Sequence, residues 1–190
     1  MADAPLSLKI AFIGSHGVGK TTLCYGLAAR LKARDLSVEV VREVARRCPL
    51  PINQETGVAA QSWILHTQIA EELTAAACYP VVICDRSVLD NYVYMLLAAG
   101  PQGQLEALLD SWLRSYGMLV RVPIVEEPSA DGVRATDPSF QRAVDERLTR
   151  ELSRRGLPLV ELHADDRDGW VAAVEDEVWR LLQPPQLQLL

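Results

Sequence analysis

Short apolar runs alternate with longer amphipathic segments along this chain of 190 residues. Five runs have the length and the branched apolar composition of buried strands, at 8–13, 37–41, 81–84, 118–122 and 157–162. Between and after them, apolar residues recur at helical spacing, at 20–34, 54–77, 88–98, 104–115, 138–154 and 170–182. Because strands that alternate with helices form βαβ units, the pattern predicts an α/β fold, a three-layer α/β/α sandwich around a five-stranded parallel sheet.

Chain length and composition narrow the class of protein. A length of 190 residues suits one domain, which we place at 1–182, and the proline-containing tail 183–190 is expected to be flexible. The net charge of −6 and the pI near 5.1 argue against a nucleic-acid partner, because such partners select basic surfaces. No run approaches the ~20 apolar residues of a membrane span, so we expect a soluble, cytoplasmic protein without a membrane partner.

The segment after the first predicted strand matches a phosphate-binding loop at every fixed position. Residues 14–21 read Gly-Ser-His-Gly-Val-Gly-Lys-Thr, which fits the pattern GxxxxGK[ST], with a strand before it and a helix after it. The backbone N–H groups of such a loop face the β-phosphate, at the positive end of the following helix. The predicted nucleotide-binding residues of this loop are Gly14, Ser15, His16, Gly17, Val18, Gly19, Lys20, Thr21 and Thr22. Lys20 is expected to bridge the β- and γ-phosphates, Thr21 to coordinate Mg²⁺, and His16, at a variable position, to face solvent.

An acidic residue follows the third predicted strand, in the sequence Asp85-Arg86-Ser87. An aspartate at the tip of a strand beside the phosphate loop is the usual second contact to Mg²⁺. Ring-forming ATPases place a glutamate after this aspartate, whereas Arg86 stands here, and the Asn-Lys-x-Asp sequence that reads guanine in GTPases is missing. These features favour a kinase over a simple nucleoside triphosphatase or a GTPase.

Residues 85–94, Asp-Arg-Ser-Val-Leu-Asp-Asn-Tyr-Val-Tyr, resemble the AAA_28 family of P-loop domains, which includes nicotinamide riboside kinase domains, and the thymidylate and deoxynucleoside kinases. The resemblance implies a P-loop kinase fold that uses ATP and Mg²⁺, with Arg86 clamping phosphates near the transferred group. Two alternatives stay open at this point. For Arg86, the alternative to clamping phosphates is an ion pair at the surface. For Asp90, one interpretation is that it holds a substrate hydroxyl, and the other is that it only belongs to the first turns of the helix.

The same resemblance gives roles to residues of two other segments. Glu43, after the second predicted strand, matches a glutamate that acts as general base toward the acceptor hydroxyl, and a salt-bridged loop glutamate is the alternative. The segment 126–142 resembles the lid of small-molecule kinases, with Arg134 as the first candidate to close over the triphosphate and Arg142 as the second. The nucleoside kinases commonly have Glu-x-Trp where Glu43-Val44-Ala45 stands here, so their substrates are not carried over.

The predicted function is a Mg·ATP-dependent transfer of phosphate to a hydroxyl or phosphate of a nucleoside, nucleotide, riboside or similar metabolite. The predicted partners are accordingly a nucleoside triphosphate and a small-molecule acceptor. The predicted catalytic residues are Lys20, Glu43, Asp85, Arg86 and Arg134, and the predicted metal ligands are Thr21 and Asp85. The alternative is a nucleotide-dependent switch, with slow hydrolysis of ATP or GTP and a protein partner.

Two groups of apolar residues have more than one interpretation. The last predicted helix packs either within the chain or at the seam of a homodimer, through Trp170, Val174, Val178 and Leu181. Four ring-bearing side chains on the second and third predicted helices either line an acceptor pocket or belong to the core: Trp63, His66, Tyr92 and Tyr94.

Overall fold

The computed structural model describes residues 7–52, 56–125 and 137–183. Within them, the strands are β1 (Leu8–Ile13), β2 (Val38–Val41), β3 (Val81–Asp85), β4 (Met118–Arg121) and β5 (Val160–Glu161). The α-helices are α1 (Lys20–Lys32), α2 (Val58–Cys78), α3 (Val88–Ala99), α4 (Gly103–Leu113), α5 (Pro138–Arg155) and α6 (Trp170–Leu182). Short 3-10 helices at Val44–Arg47 and Ala164–Gly169 follow β2 and precede α6.

The strands form a parallel sheet in the order β2-β3-β1-β4-β5. β1 lies at the centre of the sheet, since it pairs with β3 on one side and with β4 on the other. The register sets Phe12 beside Asp85, so the segments that follow β1 and β3 emerge at the same carboxyl edge of the sheet. That edge carries the phosphate loop, and the prediction of a five-stranded parallel sheet is confirmed.

Alternate residues of the central strand face two separate layers of helices. Ile10 and Phe12 pack with α1 and α6 on one face, whereas Ala11 and Ile13 pack with α2, α3, α4 and α5 on the other. Because helices cover both faces, the central strands read as continuous apolar runs rather than as alternating ones. The fold is therefore the predicted three-layer α/β/α sandwich.

The last strand is much shorter than the predicted range 157–162. β5 comprises only Val160–Glu161, which pair with the last two residues of β4. Pro158, inside the predicted range, has no N–H group to donate to a ladder, which keeps the first part of the range out of the sheet. The N–H of Leu162 adds one further hydrogen bond, to the carbonyl oxygen of Arg121 at 3.0 Å.

The helix boundaries differ from the predicted ones by a few residues at most ends. The largest shift is at the start of α2, which begins at Val58 rather than at 54, a position outside the described residues. The lid at 126–136 and the tail beyond 183 also lie outside them, so those predictions are not tested here. None of the helices in the described ranges combines the length and the apolar character needed to cross a bilayer.

The apolar side of α6 packs within the chain. Trp170, Val174 and Val178 are at most 3% exposed and join the cluster that α1 forms against the sheet. Leu181 is 44% exposed at the end of the helix. Internal packing thus accounts for three of the four residues for which a homodimer seam was the alternative interpretation.

Candidate functional site

The loop at residues 14–19 joins β1 to α1 at the carboxyl edge of the sheet. Gly17 and Gly19 have φ angles of 80° and 90°, in the left-handed region that glycine adopts without steric cost. Gly14 lies close to neighbouring backbone, because a Cβ atom added there would stand 2.8 Å from the carbonyl oxygen of Val122. The backbone path of the loop therefore requires glycine at these positions.

Lys20 begins α1 and turns its side chain back toward the loop. Its Nζ atom donates hydrogen bonds to the carbonyl oxygens of Gly14, at 2.9 Å, and Ser15, at 2.6 Å. Burial lowers the pKa of Lys20 to about 8, and the positive charge of Arg86 acts in the same direction. Because burial disfavours the charged ammonium group, an anion that binds beside it would restore the pKa.

Thr21 and Asp85 meet where α1 begins and β3 ends. The hydroxyl of Thr21 donates to the Oδ2 atom of Asp85 at 2.6 Å. Asp85 is buried, and its Oδ1 atom has no hydrogen-bond partner among the described residues. A hydroxyl and a carboxylate oxygen suit Mg²⁺, which takes hard oxygen ligands and shares them with nucleotide phosphates. The pair therefore fits a metal ion, and its role as the metal site stays a prediction.

Arg86 follows β3 with its side chain buried in the site. Arg86 is 5% exposed, its Nε atom donates to the Oε1 atom of Glu43 at 2.7 Å, and its guanidinium carbon lies 5.1 Å from the ring centroid of Tyr94. The alternative of an arginine paired at the surface is therefore wrong. Its backbone has a φ angle of 91°, which costs a residue with a side chain about 1–3 kcal/mol and persists only where the surroundings enforce it.

Glu43 is the negatively charged partner of two arginines. Its carboxylate accepts hydrogen bonds from Arg86 and, at 2.8 Å, from the Nε atom of Arg46. Burial would raise the pKa of Glu43, but the charges of Arg86, Lys20 and Arg46 outweigh burial and lower the pKa to about 2. Glu43 is thus an ionised, salt-bridged residue at all ordinary pH values, and its role in a reaction stays a prediction.

Asp90, in the first turn of α3, connects the phosphate loop to the β3–α3 junction. Its Oδ1 atom accepts a hydrogen bond from the backbone N–H of Gly14 at 2.9 Å. Its Oδ2 atom accepts from the backbone N–H of Ser87 at 2.9 Å and from the hydroxyl of Ser87 at 2.8 Å, which completes a capping box. Both oxygens are used within the protein, which favours the helix-start alternative over contact with a substrate hydroxyl.

Two cavities meet at this edge of the sheet. The P-loop cavity, with a volume of about 10 Å³, is lined by Gly17, Val18, Gly19, Lys20, Thr21, Glu43, Asp85 and Arg86. The second cavity, called the large cavity here because it is the larger of these two, has a volume of about 30 Å³ and is lined by His16, Glu43, Ala45, Arg46, Ile52, Gln61, Ile64, Arg86, Asn91 and Tyr94. The Glu43–Arg86 ion pair belongs to both linings, so it forms the boundary that the two cavities share.

His16 is buried, and the expectation that it faces solvent is wrong. It is 4% exposed because the start of α5 covers it. The ring of Phe140 stacks on the His16 ring at a centroid distance of 5.7 Å, and the Nε2 group of Gln141 donates to the carbonyl oxygen of His16 at 2.9 Å. The Nδ1 atom of His16 shares a hydrogen bond with the hydroxyl of Tyr94 at 3.1 Å. This contact makes a loop residue part of the large cavity.

The lining of the large cavity includes residues that did not emerge from the sequence pattern as candidates, among them Gln61, Ile64 and Asn91. Asn91 is 3% exposed, and its Nδ2 atom has no hydrogen-bond partner among the described residues, so it is available to a ligand. The usable signal for Asn91 was its place directly after Asp90, one turn into a buried helix. Gln61 had no local signal, because an isolated glutamine on a long helix is an ordinary surface residue.

Several predicted residues lie away from both cavities. Thr22 on α1 and Arg142 on α5 are exposed, and neither lines the P-loop cavity or the large cavity. Arg134 lies outside the described residues, so its assignment to a lid stays a prediction. For Arg142, too, the structure leaves the lid role untested, because the segment that precedes α5 is not described.

The four ring-bearing candidates divide between the pocket and the rest of the fold. Tyr94 lines the large cavity. Tyr92 is a fully buried core residue, and its hydroxyl donates to Glu106 at 3.1 Å. His66 is exposed, and Trp63 lines neither cavity, so both lie on α2 outside the site.

The sheet order and the glycine-lysine loop define a P-loop nucleotide-binding protein. A family model for an AAA domain, AAA_28, matches residues 9–168, and the chain belongs to that family. The resemblance drawn from residues 85–94 is thereby confirmed. Among solved structures, a deoxyadenosine kinase from M. mycoides with bound dATP is similar in fold, with a TM-score of 0.65 and 16% sequence identity. The similarity covers 90% of this chain and 98% of that chain, and a comparison with curated proteins gives no match.

The lowered pKa of Lys20 predicts that nucleotide binding weakens as the pH rises above about 8. The free protein loses the proton of Lys20 in this range, whereas phosphate binding requires the charged form, so binding must take a proton up. The dissociation constant for Mg·ATP is expected to rise about tenfold per pH unit between about pH 8 and about pH 10. Isothermal titration calorimetry near pH 9, in two buffers of different ionisation enthalpy, should show uptake of close to one proton.

The matched control for this titration is Lys20→Arg, because a guanidinium group keeps its charge throughout the range. Its Mg·ATP affinity should not vary with pH there, and no proton should be taken up. Equal affinity of the unaltered protein on both sides of pH 8 would contradict the buried, easily deprotonated state of Lys20.

Proposed function

We propose that this protein transfers the γ-phosphate of Mg·ATP to a hydroxyl or phosphate group of a small metabolite of the nucleoside, nucleotide or riboside class. The observation that carries the proposal is the large cavity beside the P-loop cavity. A protein that only hydrolyses a nucleotide needs room for the triphosphate and a water molecule. Here a second pocket, lined by both apolar and polar side chains, opens on the same ion pair.

The nucleotide side of the proposal rests on the P-loop residues. The loop N–H groups and the charge of Lys20 hold the β- and γ-phosphates, and the start of α1 adds its partial positive charge. Thr21 and Asp85 would hold Mg²⁺, which neutralises phosphate charge when it is bound. ATP is the preferred donor in this proposal because the kinase of similar fold binds an adenine deoxynucleotide.

The transfer itself is assigned to the boundary between the two cavities. Arg86 lies on that boundary, where its guanidinium group can stabilise charge on the phosphoryl group in transit. Glu43 accepts a hydrogen bond from the acceptor hydroxyl and orients it toward the phosphate. With a pKa of about 2 it is a weak base, so it takes the proton late, as suits a loose phosphoryl-transfer transition state. Arg134 and Arg142 remain the proposed lid residues.

The lining of the large cavity favours an acceptor that has both a flat apolar part and several polar groups. Ile52 and Ile64 offer apolar walls, whereas Gln61 and Asn91 offer amide groups. An amide matches neutral hydrogen-bonding edges, such as those of a nucleobase or nicotinamide ring, better than it matches a charge. These side chains support the nucleoside and riboside classes over a small acid or a simple alcohol.

The test is the rate of ADP release from Mg·ATP, measured with and without a panel of nucleosides, nucleotides and ribosides. We expect one class to stimulate ADP release strongly and to yield a product heavier by one phosphate in the mass spectrum. A slow rate that no compound changes would contradict the kinase, and would favour a nucleotide-dependent switch.

Asn91→Leu tests whether the stimulating compound binds in the large cavity. Leucine has the same number and branching of side-chain heavy atoms as asparagine but cannot donate a hydrogen bond, so the KM for the acceptor should rise about tenfold or more. The KM for Mg·ATP should stay unchanged, because Asn91 does not line the P-loop cavity. An unchanged acceptor KM would place the acceptor elsewhere on the protein.

A further inference from the structure

A fully buried carboxylate lies between α2, β1 and α4, away from both cavities. Glu72 is 0% exposed and accepts hydrogen bonds from Lys9 Nζ at 3.0 Å, Gln68 Nε2 at 2.9 Å, Trp112 Nε1 at 2.7 Å and Tyr116 OH at 2.6 Å. The ammonium group of Lys9 also lies 4.2 Å from the Trp112 ring centroid and 4.8 Å from that of Tyr116. We name these five residues the Glu72 cluster.

Stability alone is a poor explanation for this cluster. Burying an ion pair carries a desolvation cost that its attraction repays only in good geometry, and apolar residues of similar volume often do as well or better. The odd-numbered residues of β1 face the layer formed by α2, α3, α4 and α5. Apart from Lys9, these residues are Ala11 and Ile13, which pack there as part of the hydrophobic core. Lys9 therefore places a charge where the fold alone would be served by an apolar side chain.

Two hydrogen bonds connect the Glu72 cluster to the backbone that leads out of β3. The Nε2 group of Gln68 donates to the carbonyl oxygen of Arg86 at 3.3 Å. The backbone N–H of Val88 donates to the hydroxyl of Tyr116 at 3.1 Å. The two hydrogen bonds hold the backbone on either side of Ser87, next to Arg86, whose φ angle is 91°.

An arginine in the left-handed backbone conformation needs such hydrogen bonds, because the conformation is unfavourable and relaxes unless neighbouring groups enforce it. We propose that the Glu72 cluster is a positioning unit for Arg86, which locks the strained backbone so that the guanidinium group stays on the boundary between the two cavities. Hydrogen bonds to Glu72 fix the side chains of Gln68 and Tyr116, and these two side chains hold the backbone on either side of Ser87. The members are positioning residues, since none of them lines either cavity.

The kinetic consequence rests on the proposed function, whereas the position of Arg86 does not. A displacement of about 1 Å in a group that stabilises a transition state can cost about 10²-fold in rate. The binding of Mg·ATP depends mainly on the loop and Lys20, so it should be affected little. The expected signature is a fall in kcat with little change in the KM for Mg·ATP.

Tyr116→Phe is the first test, because it removes only the hydroxyl that joins Glu72 to the N–H of Val88. Its matched control is Tyr92→Phe. The hydroxyl of Tyr92 also bridges a glutamate and a backbone N–H, those of Glu106 and Gln102, but it is not bonded to the β3–α3 junction. Tyr116→Phe should lower kcat about tenfold to 10²-fold with an unchanged KM for Mg·ATP, whereas Tyr92→Phe should leave kcat unchanged.

Gln68→Met provides a second variant that does not depend on the folding of Tyr116→Phe. This substitution removes the hydrogen bond to the carbonyl oxygen of Arg86. Glu72 loses its contact with Gln68 but keeps those with Lys9, Trp112 and Tyr116. The same fall in kcat is expected.

A readout without catalysis separates this proposal from the proposed function. The Nε–H resonance of Arg86 in ¹⁵N NMR, identified by its loss in Arg86→Lys, reports the bond to Glu43. It should shift and exchange faster with water in Tyr116→Phe and Gln68→Met, and stay unchanged in Tyr92→Phe. That result would support the positioning unit even if no acceptor stimulates turnover. An unmoved resonance, or an equal effect of Tyr92→Phe, would overturn it.

Discussion

Replacing Lys20 by methionine is expected to lower kcat/KM for acceptor-dependent phosphate transfer by about 10³-fold or more, which corresponds to about 4 kcal/mol of transition-state stabilisation. Lys20 lines the P-loop cavity, and in the proposed function its charge lies where charge develops on the phosphoryl oxygens. Methionine is unbranched and only one atom shorter than lysine, and it carries no charge. Steady-state ADP release, with the acceptor that stimulates the unaltered protein, measures the loss.

The same substitution should leave the fold intact or strengthen it. The lowered pKa of Lys20 indicates that burial disfavours its charge, so an apolar side chain of similar shape removes a desolvation cost. A melting temperature at or above that of the unaltered protein would therefore accompany the loss of activity. Substantial remaining turnover in a folded Lys20→Met protein would contradict the assignment of the loop as the phosphate site.

Replacing Glu43 by glutamine is expected to reduce phosphate transfer by about 10²–10⁴-fold while Mg·ATP binding is retained. Glutamine keeps the shape and one oxygen acceptor, but it loses the negative charge that holds Arg86 and that, in the proposed mechanism, attracts the acceptor proton. Nucleotide binding should not suffer, because the positive charge near the phosphates then increases. Single-turnover transfer rates and Mg·ATP binding isotherms, measured on the same preparation, separate the two effects.

A matched control for Glu43 is Glu71→Gln. Glu71 is also paired with an arginine of the same corner of the fold, Arg47, but it lines neither cavity. Its substitution should leave transfer unchanged. Because the pKa of Glu43 lies at about 2, the carboxylate stays ionised as the pH falls from neutral to about 4, so Glu43 should impose no acid limb on the rate there. Full activity of Glu43→Gln would remove Glu43 from the mechanism.

The architecture could be predicted because it depends on local signals. The continuous apolar run at 8–13, the glycine-lysine motif after it and the amphipathic segment from Lys20 are neighbours in sequence. Their order therefore indicated a parallel sheet with a phosphate loop. The length of β5 was predicted less well, because it depends on Pro158 and on where another strand, β4, ends.

The remaining parts of the site depend on contacts between distant segments. His16 is buried by Phe140 and Gln141, which lie more than a hundred residues later, and nothing in the loop itself indicates that cover. Glu72 meets Lys9 and Tyr116 only after the sheet and helices have assembled. Single residues without local periodicity, such as Gln61, become informative only once the packing is known.

The two cavities draw on different stretches of the chain, and this division makes the protein modular for engineering. The phosphate-facing wall comes mainly from residues 17–21, whereas Gln61 and Ile64 of α2 and Asn91 of α3 belong to the large cavity alone. Under the proposed function, libraries of variants at these three positions would explore new acceptors without altering the phosphate loop. Glu43 and Arg86, common to both walls, are the positions that such libraries should leave fixed.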